Sequence, residues 1–152
     1  MRSSISPFYP GLRLSKCLAA ALIDAQSMLR ITAERVESAV VVHAGGEIDA
    51  SNTATWRCVL DEVIAAAVAP GPVVIDVDGL DFMSCSGFAA LREAAERCRP
   101  HGIPLRLVST RPVVDRTLTA TGWQHELPVY RDVWAALDAE TAELTPRFDN
   151  AL

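Results

Sequence analysis

The sequence predicts a single α/β domain: a mixed, mostly parallel sheet with about four helices, plus an N-terminal extension. Three observations carry that expectation. Runs rich in β-branched residues alternate along the chain with segments of helical periodicity. One of those runs, "VVIDV" (73–77), is almost continuously apolar, which suits a strand covered on both faces. Half of the 152 residues (50%) are apolar, enough for a sizeable core in one domain.

The elements follow in order. "MRSSISPFYPG" (1–11) carries prolines and hydroxyl residues without periodicity and reads as loose chain. Leu14, Leu18 and Leu22 then recur near helical spacing, so a short helix is expected within an extension of residues 1–28, and Met28 offers an alternative start. "LRITAERV" (29–36) and "AVVVHAGGEID" (39–49) read as a hairpin of two strands, the second ended by Gly45-Gly46. Asp49 or Ser51 is expected to cap a helix reaching Val68, with Trp56, Val59, Leu60, Val63, Ile64 and Ala67 facing inward. Pro70-Gly71-Pro72 stops it.

After strand 73–77 comes "GLDFMSCSGFAAL" (79–91), expected to form a loop leading into a helix from about Gly87. Phe88, Leu91, Ala95 and Cys98 share one face of that helix; Arg92, Glu93, Glu96 and Arg97 share the other, with Glu93 and Arg97 at an i,i+4 spacing. "IPLRLVS" (103–109) is a strand. In "PVVDRTLTATG", Pro112 sits in a helix first turn and Gly122 just past its end. "ELPVY" and "DVWAALDAE" supply a last strand and helix, so the domain spans 29–140 and a tail 141–152 follows.

Composition narrows the function. With 19 acidic against 14 basic residues and a net charge of -5, the chain lacks the basic footprint of direct nucleic-acid binding. "CLAAALI" (17–23) is too short to span a bilayer, and no A-x-A cleavage site follows it, so a cytoplasmic protein without membrane insertion is expected. Cys17, Cys58, Cys85 and Cys98 form no C-x-x-C, and four reduced thiols are expected. His43, His101 and His125 are scattered, so neither a metal site nor a cofactor is expected.

The segment at 84–86 follows a buried strand and opens a helix, which is where open α/β sheets place function. A helix start favours an anion there, a phosphate included. Gly87 removes a side chain beside Ser86, which is expected to let another protein approach the backbone. Ser84 and Ser86 also read as plain N-cap residues and Cys85 as a small buried filler. Hydrolysis is disfavoured: Met83 replaces the first glycine of G-x-S-x-G, and no catalytic base is placed. No phosphate-binding P-loop occurs. A thiol at a helix start can react as thiolate, so Cys85 also carries a redox reading.

Four segments, "GGEIDAS", "VVIDVDGLDFMSCSGFAAL", "GIPLRLVS" and "LTATGW", resemble the STAS-domain family in order and spacing over residues 31–138. Within it the likeness is to bacterial anti-sigma factor antagonists. That resemblance implies a non-enzymatic domain that captures an anti-sigma factor and frees a sigma factor for transcription. It also implies that the anti-sigma factor is commonly a serine kinase using ATP, that phosphorylation breaks the complex, and that a phosphatase resets it.

By the same resemblance Ser86, directly before Gly87, matches the phosphoacceptor, and Asp49 in "GEID" matches an acidic residue near the partner surface. Ser84 stands where the family has aspartate, and Cys85 where it has serine. The implied partner-binding set is Asp49, Asp81, Ser84, Cys85, Gly87, Phe88 and Arg92. Other readings stay open: an unphosphorylated STAS scaffold in a lipid-transport ABC complex, a ligand- or redox-sensing STAS module, and, last, an enzyme.

Overall fold

The computed structural model describes residues 29–139. The expected extension 1–28 and the tail 141–152 lie outside the described residues.

Five strands form one sheet in the order of the chain: β1 (Leu29–Val36), β2 (Ala39–Ile48), β3 (Val73–Met83), β4 (Leu105–Val108) and β5 (Val129–Tyr130). β1 pairs antiparallel with β2, and every later pairing is parallel. Four helices are described: α1 (Thr53–Ala66), α2 (Cys85–Cys98), α3 (Pro112–Thr121) and α4 (Val133–Asp138). The mixed, mostly parallel sheet expected from the sequence is therefore present.

Sheet order fixes where the helices go. Three successive crossovers between neighbouring parallel strands, all of one hand, put α1, α2 and α3 on one face. The main core agrees. Ile31, Val42, Ile48 and Ile75 from the sheet pack with Trp56, Leu60, Leu91 and Leu118 from those three helices. The smaller opposite cluster joins Val41, Val74 and Val108 to Ala136 of α4. There Arg106, almost fully buried, donates to the Ala136 carbonyl at 2.8 Å and ties α4 to the sheet.

α3 begins and ends as expected. Pro112 occupies its first turn, and Gly122, at φ 80°, closes it by donating to the Leu118 and Thr119 carbonyls.

Several expected boundaries move. Gly45-Gly46 does not end β2; the β2–β3 register shifts just before Gly45 and just after Gly46, so the glycine pair sits between two irregularities and the strand continues to Ile48. β3 is 11 residues long and takes in most of the expected loop, because Phe82 and Met83 pair with the prolonged end of β2. α2 starts at Cys85, since Ser84 already caps it. α1 stops at Ala66, short of Val68, and neither Asp49 nor Ser51 caps it; Asn52 stands at the N-cap without a side-chain cap bond.

Two pairings also differ. Glu93 and Arg97 do not join each other along α2. They reach across to α1, Glu93 to Arg57 and Arg97 to Asp61 at 2.6 Å, because the two helices lie side by side; the i,i+4 pair is Arg92–Glu96. Cys58 is disulfide-bonded, while Cys85 and Cys98 are free. The expectation of four reduced thiols therefore fails at Cys58: bridging depends on proximity in space, which sequence spacing does not report.

Candidate functional site

β2 and β3 run parallel and end side by side, so the chain leaves both at one rim of the sheet. The Ser84 amide donates to the Ile48 carbonyl at 2.9 Å, which clamps the two exits together. From that clamp the β2–α1 turn carries Asp49, and the start of α2 carries Ser84, Cys85 and Ser86.

Ser84 is extended, with φ −69° and ψ 165°, and caps α2: its Oγ accepts from the Gly87 amide at 3.3 Å. Ser86 lies in the first turn of α2, exposed. Its Oγ is 2.9 Å from Ser84 Oγ and 3.3 Å from Oγ1 of Thr53, the first residue of α1. Thr53 Oγ1 donates to the Asp49 carbonyl at 2.6 Å. A run of three hydroxyls therefore joins the start of α2 to the start of α1 and the Asp49 turn.

That turn is ordered by its own side chains. The Asp49 carboxylate accepts from the Ser51 hydroxyl at 2.6 Å and from the Ser51 amide at 2.9 Å. These two bonds, the hydroxyl's first, hold the Asp49 pKa below the ordinary aspartate value. Asn52, buried, accepts from the Asp49 amide and donates to the Glu47 carbonyl, each at 2.9 Å. Asn52 spends its amide on the turn and leaves none for capping α1.

Gly87 is a spacer by necessity. A Cβ there would stand 2.6 Å from Met83 Cγ and 3.1 Å from Ile48 Cγ2, and the Gly87 carbonyl accepts from the Trp56 indole at 3.2 Å. α2 thus presses its first turn against both strand ends and α1, and Ser86 faces out.

The expected partner-binding residues divide. Asp49, Ser84, Cys85 and Ser86 share the rim. Asp81 lies on β3, exposed, with Arg111 3.7 Å away. Arg92 sits further along α2, held by Glu96 and Glu126 and lying 5.4 Å from the Trp123 ring. Gly87 is buried, and Phe88 is 4% exposed and packed in the main core, so neither offers a side-chain surface to a partner. Phe88 falls inward because it continues the stripe of Leu91, Ala95 and Cys98. Cys85 is exposed and not the buried filler considered for it; Cys98 fills that description.

Sequence reasoning missed Thr53, which meets Ser86 only through the fold. It also missed a second patch on the rim. Phe82 and Val113, 52% and 51% exposed, flank an apolar groove of about 220 Å³ between β3 and α3. The β4–α3 connection there is pinned to β3: Asp78 accepts from the Thr110 amide at 2.8 Å, and Arg111 donates to the Asp78 carbonyl at 3.1 Å. No group of His, Cys, Asp and Glu suited to a metal ion occurs among the described residues, and no described helix is long and apolar enough to cross a membrane.

Fold and site together define an α/β domain whose distinctive surface is a hydroxyl-bearing rim at the carboxyl ends of two parallel strands. A family model described as STAS domain matches residues 30–136. The chain belongs to the STAS-domain family.

Two relatives come from Mycobacterium tuberculosis. Rv2638, named as a candidate anti-anti-sigma factor, is 48% identical over 129 residues, covering 85% of this chain and 87% of that protein. The anti-sigma-F factor antagonist RsfA is 44% identical over 111 residues, covering 73% of this chain and 87% of its own length. The crystal structure of an anti-sigma factor antagonist from Mycobacterium paratuberculosis shares the fold, with a TM-score of 0.66 at 22% identity over 77% of this chain and 100% of that one.

Proposed function

We propose that the chain is an anti-sigma factor antagonist, a regulator that works by binding an anti-sigma factor so that the sigma factor is released. Two relatives with that assignment, each over 40% identical across most of both chains, support the reading. The observation that gives it a mechanism is the exposed Ser86 hydroxyl, carried in the first turn of α2 just beyond the clamped ends of β2 and β3. Its partner surface is the rim: the Asp49 turn, Ser84 to Ser86 and the neighbouring end of β3. The domain's net charge of -5 suits steered docking to a basic partner face.

The switch is a charge at that surface. A serine kinase, in this reading the anti-sigma factor itself, transfers the γ-phosphoryl group of a nucleoside triphosphate to Ser86 Oγ. The Oγ–P bond forms as the bond to the diphosphate breaks, the hydroxyl proton passes to a kinase base, and the nucleoside diphosphate leaves. The modified serine gains about −1.5 to −2 charges at pH 7. The start of α2 stabilises them by about 0.3–1 kcal/mol. A partner packed on the rim would have to desolvate the dianion, at a cost of several kcal/mol. Phosphorylation thus opposes the complex without remodelling the domain, and a phosphatase restores it.

Affinity capture from the native cell followed by phosphosite mass spectrometry tests the reading. Recovery of an anti-sigma factor with the unmodified chain, and phosphate at Ser86 in the uncomplexed fraction, is the expected result. Recovery of a transporter ATPase in its place, with Ser86 never modified, would overturn it.

A further inference from the structure

The three hydroxyls at the rim hold three protons, and the geometry decides where each points. Ser84 Oγ accepts from the Gly87 amide at 3.3 Å, so its own proton is free to donate to Ser86 Oγ at 2.9 Å. Thr53 forms its shortest contact, 2.6 Å, with a carbonyl, which can only accept. The Thr53 proton is therefore committed to Asp49, and at 3.3 Å Thr53 Oγ1 can only accept from Ser86. The chain runs one way: Ser84 to Ser86, Ser86 to Thr53, Thr53 to the Asp49 carbonyl.

We infer that Thr53 is a positioning residue that transfers its hydrogen bond from the Asp49 carbonyl to a phosphate on Ser86, and so carries the modification into the Asp49–Ser51 turn. The inference rests on the reading of Ser86 as phosphoacceptor. A phosphoserine has no hydroxyl proton, so the Ser86-to-Thr53 bond ends when the ester forms. In its place Thr53 meets an anionic group with three terminal oxygens. A hydrogen bond to an ionised acceptor is roughly twice as strong as one between neutral groups. The Asp49 carbonyl is not orphaned by the exchange, because it also accepts from the Asn52 amide at 3.1 Å. The turn that loses the Thr53 anchor is the one whose carboxylate is fixed by Ser51 and whose amide is fixed by Asn52. One modification thus alters the charge at Ser86 and the bonding of the Asp49 turn, two separate stretches of the partner surface.

The test uses the full chain with phosphoserine installed at position 86 during translation, so no kinase is needed. Phosphorus NMR follows the second ionisation of the phosphate, and amide spectra follow residues 49–52. In the wild-type chain the phosphate should titrate below its value in the urea-unfolded chain, because two hydroxyls donate to the dianion. Thr53→Val should bring it back by on the order of 0.3 unit, while Thr53→Ser, which keeps the hydroxyl, should not.

Phosphorylation should also shift the amides of Ser51 and Asn52 in wild type and Thr53→Ser, and leave them in Thr53→Val. Equal titration and equal amide shifts in wild type and Thr53→Val would overturn the inference. So would unmoved amides at 49–52 in the phosphorylated wild type, a comparison that needs no variant. Failure to find phosphate at Ser86 in cells would sink the proposed switch and leave this outcome unaffected.

Discussion

Ser86 Oγ lies 3.3 Å from Thr53 Oγ1, across the gap between the first turns of two helices that are separated by a whole crossover in the chain. Because Thr53 in turn holds the Asp49 carbonyl, the phosphoacceptor candidate and the acidic turn belong to one bonded unit.

Partner binding should follow charge at Ser86. Ser86→Asp should weaken capture of the anti-sigma factor by at least about tenfold, or about 1.4 kcal/mol. Ser86→Ala should bind like wild type and resist release on addition of nucleoside triphosphate. Calorimetric titration of both variants checks this; equal affinity for Asp and Ala would count against the rim as the interface.

Gly87→Ala should destabilise the fold. The new methyl group would overlap Met83 Cγ at 2.6 Å and crowd Ile48 at 3.1 Å, and overpacking of this kind costs about 1–3 kcal/mol. Urea unfolding should show a lower midpoint with an unchanged slope. A midpoint within error of wild type would mean that α2 does not press on the strand ends as described.

Stability should depend on pH through His43. On the sheet face opposite α1–α3, His43 Nδ1 lies 2.9 Å from the Asp76 carboxylate, with Glu34 3.7 Å from Nε2. The Asp76 hydrogen bond raises the His43 pKa against the opposing effect of burial, with both carboxylates' charges assisting. Burial pushes the Asp76 pKa up, but the His43 bond, the Asp78 amide and the His43 charge outweigh it and leave it lowered. The histidine contribution is complete below its unfolded pKa of about 6.5 and fades as pH rises through the raised folded value. The aspartate contribution is complete above about 3.9 and fades as pH falls through its lowered value. The difference in Tm between wild type and His43→Gln should therefore be largest near pH 5–6 and shrink by pH 9; a flat difference across that range would refute the pairing.

Native thiol labelling should separate the two free cysteines among the described residues. Cys85 is exposed, whereas Cys98 is 0% exposed and burial raises its pKa, with Arg97 in partial opposition. Peptide mass spectrometry should find Cys85 modified on the order of a hundred times faster than Cys98. Comparable rates would mean that α2 detaches from the core in solution.

Much of this architecture was legible in the residues. The β-branched runs, the Pro112 and Gly122 boundaries and the inward stripe of Trp56, Val59, Leu60 and Val63 each report a local cause, and each stands where it was expected. Of the candidate site, the sequence points to Ser86 and Asp49, and the fold brings the two to one rim through Thr53. What escaped depends on pairing at a distance. The far half of β3 is interrupted by Asp78, Gly79 and Asp81, and it is a strand because β2 runs beside it. Phe88 fits both an inward helix face and, by the family likeness, a partner surface, and only packing separates the two. Thr53 reads as an ordinary helix-start residue until the crossover from β2 to β3 brings α2 beside it. The bridge at Cys58 was equally invisible, since no spacing rule announces it.

The strands lie side by side in the order in which they are made, and that arrangement has a consequence for substitution. Every parallel strand hands over to its helix at the same rim, so the β2–α1, β3–α2 and β4–α3 connections become adjacent words on one line of text. Each can change by local substitution while the ladder beneath is left alone. Substitutions at the exposed connection positions that spare Gly87 and the Ser84–Ile48 clamp can therefore change the chemistry of the rim without disturbing strand pairing.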